Sequence, residues 1–427
     1  MPQFSIIIVP RNGVRSTSEI REIVGFSAQT GGMLAFSEKM RYCISNYCIR
    51  TVNVRRPCGA VDGREITGGE ALRKILVAMS GGVDSAAACV LLRQQGYEVG
   101  GATMLLRDGG EAEAEDARRA AGELGIPFYL FEWKDAFRRR VIEPFTRVYR
   151  SGGTPNPCVI CNGAMKFGMF LEKALELGYD GIATGHYARV ERESGRFLLR
   201  RAADRAKDQT YMLCKLTQAQ LARTLFPLGG IVSKEETRRL AQEAGLTLAR
   251  KHDSQDICFV PDGDYMAYLT ANGLVPQAGR FVTPDGRVLG PHRGLEAYTV
   301  GQRRGLGMAF GERMYVLGKR GTDVVVGEER LLFSRRVEIG DVNYIPYDRP
   351  PGPLRVEAAL RYTPRTAPAW LYPDGAVCTL LFDEPQRAAT EGQTAVFYDG
   401  ETVVGGGTIR AAESGLRNLN ETEGIEK

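Results

Sequence analysis

At 427 residues the chain exceeds what one ordinary hydrophobic core organises, so two or three domains are expected. Hydrophobic residues make up 43% and charged residues 25%, a globular composition, and no apolar run of roughly 18 or more residues is present to span a bilayer. Lys and Arg number 56 against 51 Asp and Glu, and the formal charge of +5 is too small to demand a nucleic-acid partner yet compatible with one basic face.

Residues 1–70 show no sustained helical or strand period and stand as an unassigned N-terminal extension. Glu19, Glu22, Glu38, Asp62 and Glu65 argue against a transit peptide, and Cys43, Cys48 and Cys58 form no CxxC pair. From Lys74 the pattern alternates. A strand at Ile75 to Met79, a helix from Asp84 to Gln95, a strand at Val99 to Leu105, a helix at Ala114 to Leu124 and a strand at Pro127 to Phe131 read as parallel α/β architecture. Between the first strand and helix lies Ser80 to Ser85, SGGVDS, which resembles an ATP pyrophosphatase loop. Strand, glycine turn and helix bring backbone N–H groups to phosphate oxygens, with Gly81 and Gly82 permitting close approach and Ser80 and Ser85 adding hydroxyl donors. No Lys follows the glycines, so a kinase-type phosphate loop is absent and cleavage between the α and β phosphates fits better. Ligands of such sheets sit at the carboxyl ends of the strands, where SGGVDS, Met104 and Thr184-Gly185-His186 all fall.

Pro155 to Asn162, PNPCVICN, leads into a helical run from Gly163 to Leu177. A helix N-terminus favours thiolate over thiol, which makes Cys161 the natural nucleophile of its two cysteines. The pair could equally share a metal, be a redox couple or be inert core. A closed zinc site needs four ligands, whereas Cys258 as a third thiolate would suit an iron-sulfur cluster. Next come a basic hairpin, Ala188 to Ala202, with its turn at Ser194-Gly195, and then Lys207-Asp208-Gln209, either a phosphate-binding surface or a solvated charged turn. Ser233 with Glu236 predicts a capping box opening a helix that Gly245 ends. His252 to Val260, HDSQDICFV, places Cys258 on a polar loop, where a mobile thiol could collect and carry sulfur as a persulfide.

Beyond Asp264, turn signals at Pro284-Asp285-Gly286, Asp341 to Asn343 and Asp399-Gly400 separate short strands. Pro350, Pro351 and Pro353 suggest a linker, giving a catalytic domain at 71–268, a small central domain at 269–345, a C-terminal β-barrel at 346–415 and a disordered tail at 416–427. Tyr298 to Gly307, YTVGQRRGLG, and Arg361-Tyr362 combine cations, an amide and a stacking ring suited to RNA. Cys89, Cys214 and Cys378 read as structural. Nine cysteines, an odd count without a secretory h-region, point to a reducing cytoplasm, and three histidines argue against a His-rich zinc enzyme.

SGGVDS, PNPCVICN with Lys166-Phe167, ATGHYAR, KDQTYML, DSQDICF and YTVGQRRGLG occur in the order found in the tRNA-specific 2-thiouridylases, and over residues 72–415 the chain closely resembles that family. The resemblance implies an adenine nucleotide α-hydrolase-like parallel-sheet domain, a small central domain and a C-terminal β-barrel gripping tRNA. It implies a sulfurtransferase that uses ATP and Mg²⁺ to adenylate the 2-carbonyl oxygen of the wobble uridine, after which sulfur replaces that oxygen. Position by position, Ala78, Met79, Ser80, Gly81, Gly82, Val83, Asp84, Ser85, Met104 and Gly185 match ATP contacts. Cys161 matches the nucleophile, and Cys258 the cysteine that carries persulfide and can form a disulfide with it. Asn156, Pro157 and Cys158 match the segment touching the target base, and His186, Lys207, Asp208, Gln209, Gln302, Arg361 and Tyr362 match tRNA contacts. A sulfur-donor protein or persulfide carrier is implied as a partner. Many members of the family have Asp, a proposed acid/base group, where this chain has Cys158. The substitution opens an alternative in which Cys158, Cys161 and Cys258 hold an iron-sulfur cluster. The competing classes are an amidating synthetase with the same loop and a non-catalytic RNA-binding module.

Overall fold

The computed structural model describes residues 4–10, 24–26, 47–52, 72–250, 257–260, 263–363 and 365–414. His252 and the tail at 416–427 lie outside the described residues. Two compact units divide the chain near residue 62. The first, which sequence pattern left unassigned, contains a three-stranded antiparallel sheet of β1 (Phe4–Pro10), β2 (Val24–Phe26) and β3 (Tyr47–Val52) in the order β2-β1-β3.

The second unit begins with a five-stranded parallel sheet. Its strands are β4 (Lys74–Ala78), β5 (Glu98–Leu105), β6 (Phe128–Glu132), β7 (Gly181–Thr184) and β10 (Thr224–Leu225), in the order β10-β7-β4-β5-β6. β4 is central, and Ile75, Leu76 and Val77 are fully buried, the continuous apolar run that a strand covered on both faces requires. α1 (Val83–Gln94) follows β4; its small buried residues Ala86, Ala87, Ala88 and Cys89 let the helix lie close to the sheet. α2 (Glu111–Glu123) links β5 to β6. After α3 (Glu143–Arg150), one helical segment runs as α4 (Pro157–Cys161), a π-helical stretch at Asn162–Met169 and α5 (Phe170–Glu176). Asn156 caps it by accepting from the Val159 N–H at 3.3 Å, and Pro157 takes the first position, where its missing N–H costs nothing.

The basic hairpin forms as expected from β8 (Arg189–Glu193) and β9 (Arg196–Arg200), with positive φ at Ser194 (50°) and Gly195 (82°), the backbone of a tight two-residue turn. Its arginines are spent internally. Arg200 pairs with Glu191 at 2.7 Å and Glu193 at 2.6 Å, Arg189 with Glu401 at 3.0 Å and Arg196 with Asp348 at 2.9 Å. α6 (Lys234–Glu243) opens on Ser233, whose hydroxyl accepts from the Glu236 N–H, and α7 (Tyr265–Ala271) follows.

The central domain is a four-stranded sheet of β11 (Gly279–Val282), β12 (Val288–His292), β13 (Tyr315–Arg320) and β14 (Asp323–Gly327) in the order β12-β11-β14-β13, built on Phe281, Tyr298, Val316 and Val324. The closed antiparallel barrel comprises β15 (Phe333–Tyr344), β16 (Leu354–Ala359), β17 (Ala367–Asp374), β18 (Val377–Arg387), β19 (Thr394–Asp399) and β20 (Thr402–Ser414), ordered β15-β18-β17-β16-β19-β20 and sealed by β15 pairing with β20. This corrects the boundary placed at residue 346. β15 is a barrel strand, and Pro350, Pro351 and Pro353 occupy the loop from β15 to β16, since proline interrupts pairing in a loop within a domain as readily as in a linker between domains. Hairpin β8–β9 docks on the barrel through Arg200 opposite Thr402.

Candidate active site

The glycine loop is held from three sides. Beneath it, the Met79 N–H donates to the Ala102 carbonyl at 2.8 Å and Thr103 Oγ1 donates to the Met79 carbonyl at 2.8 Å, fixing the end of β4 to β5. Within it, Ser85 Oγ accepts from the Ser80 N–H at 3.2 Å and donates to the Gly82 carbonyl at 3.1 Å. Ser85 is 3% exposed and its hydroxyl proton closes the loop; Ser80 stays exposed. Gly81 has φ +68°, and a Cβ there would stand 2.4 Å from the Glu113 carbonyl oxygen of α2, so shape and packing both require glycine.

On the third side, Asp84 Oδ1 accepts from Lys234 Nζ at 2.7 Å and from the Tyr187 hydroxyl at 3.0 Å. Because the Tyr187 proton is committed to Asp84, Thr237 Oγ1 donates to Tyr187 at 2.8 Å. The Lys234 side chain is only 8% exposed. Gly185 crosses this loop so closely that a Cβ would lie 2.8 Å from the Ser85 nitrogen and 2.9 Å from Asp84. β4, β7 and α1 therefore converge at the carboxyl end of the sheet, with Met104 half-buried at the end of β5. Lys234, at the start of α6, was not singled out by sequence; its only signal was adjacency to the Ser233 capping box.

The thiols gather around α4, which carries Cys158 and Cys161. Cys161 packs in a cluster with Phe137, Val141, Phe145, Tyr149, Met165, Phe259 and Val260, against which Ile257 also packs, so the residues flanking Cys258 share its core. Cys158 is half-buried and Cys258 exposed, and both lie close enough to influence the Cys161 sulfur electrostatically. Burial pushes the Cys161 thiol up to about 12, Lys166 opposing it; a low-pKa thiolate made by the helix terminus alone is thus overridden by desolvation. Burial also raises Cys158. Cys258 reaches the surface, yet the protein packed on its inner side raises its thiol, against the pull of Lys166 and Arg107. Lys166 is the cation shared by all three thiols, and sequence reading gave it no role. Among the described residues no three His, Cys, Asp or Glu side chains are gathered to hold a metal ion, so Cys158, Cys161 and Cys258 do not stand as a ready ligand set. The six described cysteines are all free thiols, and Cys89, Cys214 and Cys378 are buried in cores as expected.

Most of the residues matched to tRNA contact also make hydrogen bonds within the protein. His186 Nδ1 lies 2.7 Å from Thr184 Oγ1, with its ring between Phe167 and Phe226; burial and Lys166 hold it well below the usual imidazole value and neutral. Asp208 accepts from the Ala202 N–H at 2.9 Å and from Thr210 Oγ1 at 2.7 Å, and Gln209 Oε1 accepts from the Tyr187 N–H at 3.0 Å. Lys207 is half-buried. Gln302 Oε1 accepts from the Thr299 N–H at 3.0 Å, while its amide donates to the Arg304 carbonyl at 2.9 Å. Arg361 Nη2 reaches the carbonyls of Val300 (3.1 Å) and Ala388 (3.0 Å) and Thr390 Oγ1 (3.2 Å). Tyr362 is 54% exposed, the one matched ring open to stacking, and its hydroxyl donates to the Asp208 carbonyl at 3.4 Å.

Three family models match the chain: tRNA methyl transferase HUP domain over residues 73–262, tRNA methyl transferase PRC-barrel domain over 269–328 and Aminomethyltransferase beta-barrel domain over 334–409. The tRNA-specific 2-thiouridylase MnmA of Clostridium botulinum strain Alaska E43 is 46% identical over 356 residues, covering 79% of this chain and 98% of its own. That of Clostridium acetobutylicum is 44% identical over 356 residues, 79% of this chain and 99% of its own. A third, MnmA 2 of Clostridium tetani, is 46% identical over 354 residues, 79% and 98%.

Proposed function

The chain belongs to the tRNA-specific 2-thiouridylase family and is a tRNA sulfurtransferase, and on that premise we propose that it thiolates the wobble uridine through an adenylated intermediate with sulfur carried on Cys258. The observation that carries this reading is the pairing of an intact pyrophosphatase-type loop with Cys161 and Cys258 brought into one electrostatic neighbourhood.

In this reading ATP binds across Ala78 to Ser85, Met104 and Gly185. Asp84, the loop's one carboxylate, is already engaged at Oδ1 by Lys234 and Tyr187 and would be the residue to face Mg²⁺. When bound, the ion neutralises phosphate charge. The uracil O2 attacks the α-phosphorus and expels pyrophosphate, which turns a poor leaving group into AMP. The terminal sulfur of a Cys258 persulfide then attacks C2, and the C2–O bond breaks with departure of AMP. Cys161 as thiolate attacks the Cys258 sulfur, the S–S bond to the transferred atom breaks, and 2-thiouridine leaves with a Cys161–Cys258 disulfide that an external thiol reduces. Asn156, Pro157 and Cys158 border the thiols and would hold the base; a sulfur-donor protein or persulfide carrier would load Cys258 in the cytoplasm.

The test is thiolation of an unmodified tRNA transcript with ATP, Mg²⁺ and a persulfide donor, read by nucleoside mass spectrometry. Cys161→Ser and Cys258→Ser should each lower 2-thiouridine by about a hundredfold or more, the loss expected for members of one reacting unit. Cys158→Ser should keep at least about a third of the activity. Loss with Cys158→Ser equal to that with Cys161→Ser would instead favour the three-thiol cluster. Retention with both Cys161→Ser and Cys258→Ser would contradict the relay.

A further inference from the structure

Lys166 lies five residues after Cys161. In an α-helix of 3.6 residues per turn, that spacing would set the two side chains about 140° apart around the axis. The helix here is not α. From Asn162 to Met169 it is π-helical, and i→i+5 bonding stacks a residue near the one five before it. The widened turn thus carries Lys166 to the face of the thiols, where its charge acts on Cys158, Cys161 and Cys258 and on the neutral His186. The side chain is half-buried, and among the described residues its ammonium makes no hydrogen bond and no ion pair. A partly desolvated ammonium without a carboxylate partner favours an anion beside it.

We propose that the π turn serves to deliver Lys166 as the cation of the sulfur site, a positioning residue whose charge stabilises the Cys161 sulfur as thiolate when it attacks. This deepens the relay reading and rests on Cys161 being its nucleophile. The groups acting on the Cys161 sulfur are Lys166, which favours the anion, and Cys158 and Cys258, whose ionised forms oppose it, all against the cost of burial. Ionisation of either neighbour would therefore make Lys166 more necessary. Arg107 assists only at Cys258, where Glu113 offsets it.

The experiment is iodoacetamide labelling of the full chain without tRNA or ATP, with the rate at each cysteine read by peptide mass spectrometry at several pH values. Lys166→Met should slow Cys161 labelling by about tenfold at a fixed pH, equivalent to one unit of ionisation constant, while Lys166→Arg should label within about twofold of the parent chain. Cys214, fully buried in a different core, reports folding and should label equally slowly in all three. An unchanged Cys161 rate in folded Lys166→Met overturns the proposal, as does equal slowing in Lys166→Arg, which would mark a role in packing. Should Lys166→Met unfold, seen as rapid Cys214 labelling, Lys166→Arg decides alone: a near-parental rate supports the proposal and a tenfold fall overturns it. Because no tRNA is present, failure here leaves the thiolation reading standing, and its failure is scored separately by absence of 2-thiouridine.

Discussion

Asp84 carries the first consequence at the scale of single residues. Its carboxylate is one-third exposed, but its partner Lys234 is almost fully buried, so each charge depends on the other for solvation. Lys234→Met should cost about 1–2 kcal/mol in urea denaturation, less than a fully buried pair because Asp84 keeps some water. It should also raise the KM for ATP more than it lowers kcat, since the loop is displaced before chemistry begins. His186 sets a pH limit. Its folded value lies well below 6.5, so the stability it contributes is fully present above about pH 6.5 and is lost as pH falls toward the folded value, where the unfolded chain takes up a proton that the folded chain refuses. Thermal melts from pH 7.5 down to pH 5 should therefore show a steeper fall for the parent chain than for His186→Gln. The loop motif and the two candidate thiols were legible in the sequence because each lies in a short contiguous signature. Lys234 and Tyr187 were not, because they reach Asp84 only through packing across 150 and 103 positions.

At the scale of elements, two close approaches hold the glycine loop. Gly81→Ala adds a methyl against the Glu113 carbonyl at a left-handed backbone and should destabilise by about 1–3 kcal/mol, measured by urea denaturation. Gly185→Ala presses on Ser85 and Asp84 from β7 and should weaken ATP binding, measured by calorimetry, with a smaller loss of stability than Gly81→Ala since its φ is not left-handed. Parallel strands announced themselves through apolar runs such as Ile75 to Val77. The π stretch did not, because its apolar spacing is indistinguishable from that of an α-helix over eight residues. The low thiol pKa expected from the helix start failed for a related reason: helix position is local and readable, whereas burial is set by residues far along the chain, here Phe259 and Phe145.

For the whole molecule, Arg361 is one tie between barrel and central domain, with three acceptors on Nη2 and a half-buried guanidinium, beside Arg387, whose Nη2 donates to the Gly301 carbonyl at 3.2 Å. Arg361→Ala leaves the Val300 and Ala388 carbonyls without this donor and should split a single thermal transition into two or broaden it, while lowering tRNA affinity. Tyr362→Phe, which loses only a 3.4 Å hydrogen bond, should leave both nearly unchanged. Two of the side chains matched to RNA contact, Arg361 and Asp208, thus also make hydrogen bonds within the protein, while Tyr362 stays exposed. In the proposed reaction the loop activates the uracil carbonyl as an AMP ester before the thiols replace its oxygen. A tRNA transcript carrying oxygen-18 at C2 of the wobble uridine, incubated with ATP, Mg²⁺ and a persulfide donor, tests it most directly. One oxygen-18 is expected in the phosphate of the released AMP for each 2-thiouridine formed; 2-thiouridine accompanied by unlabelled AMP, with the isotope in water, would rule out the AMP ester.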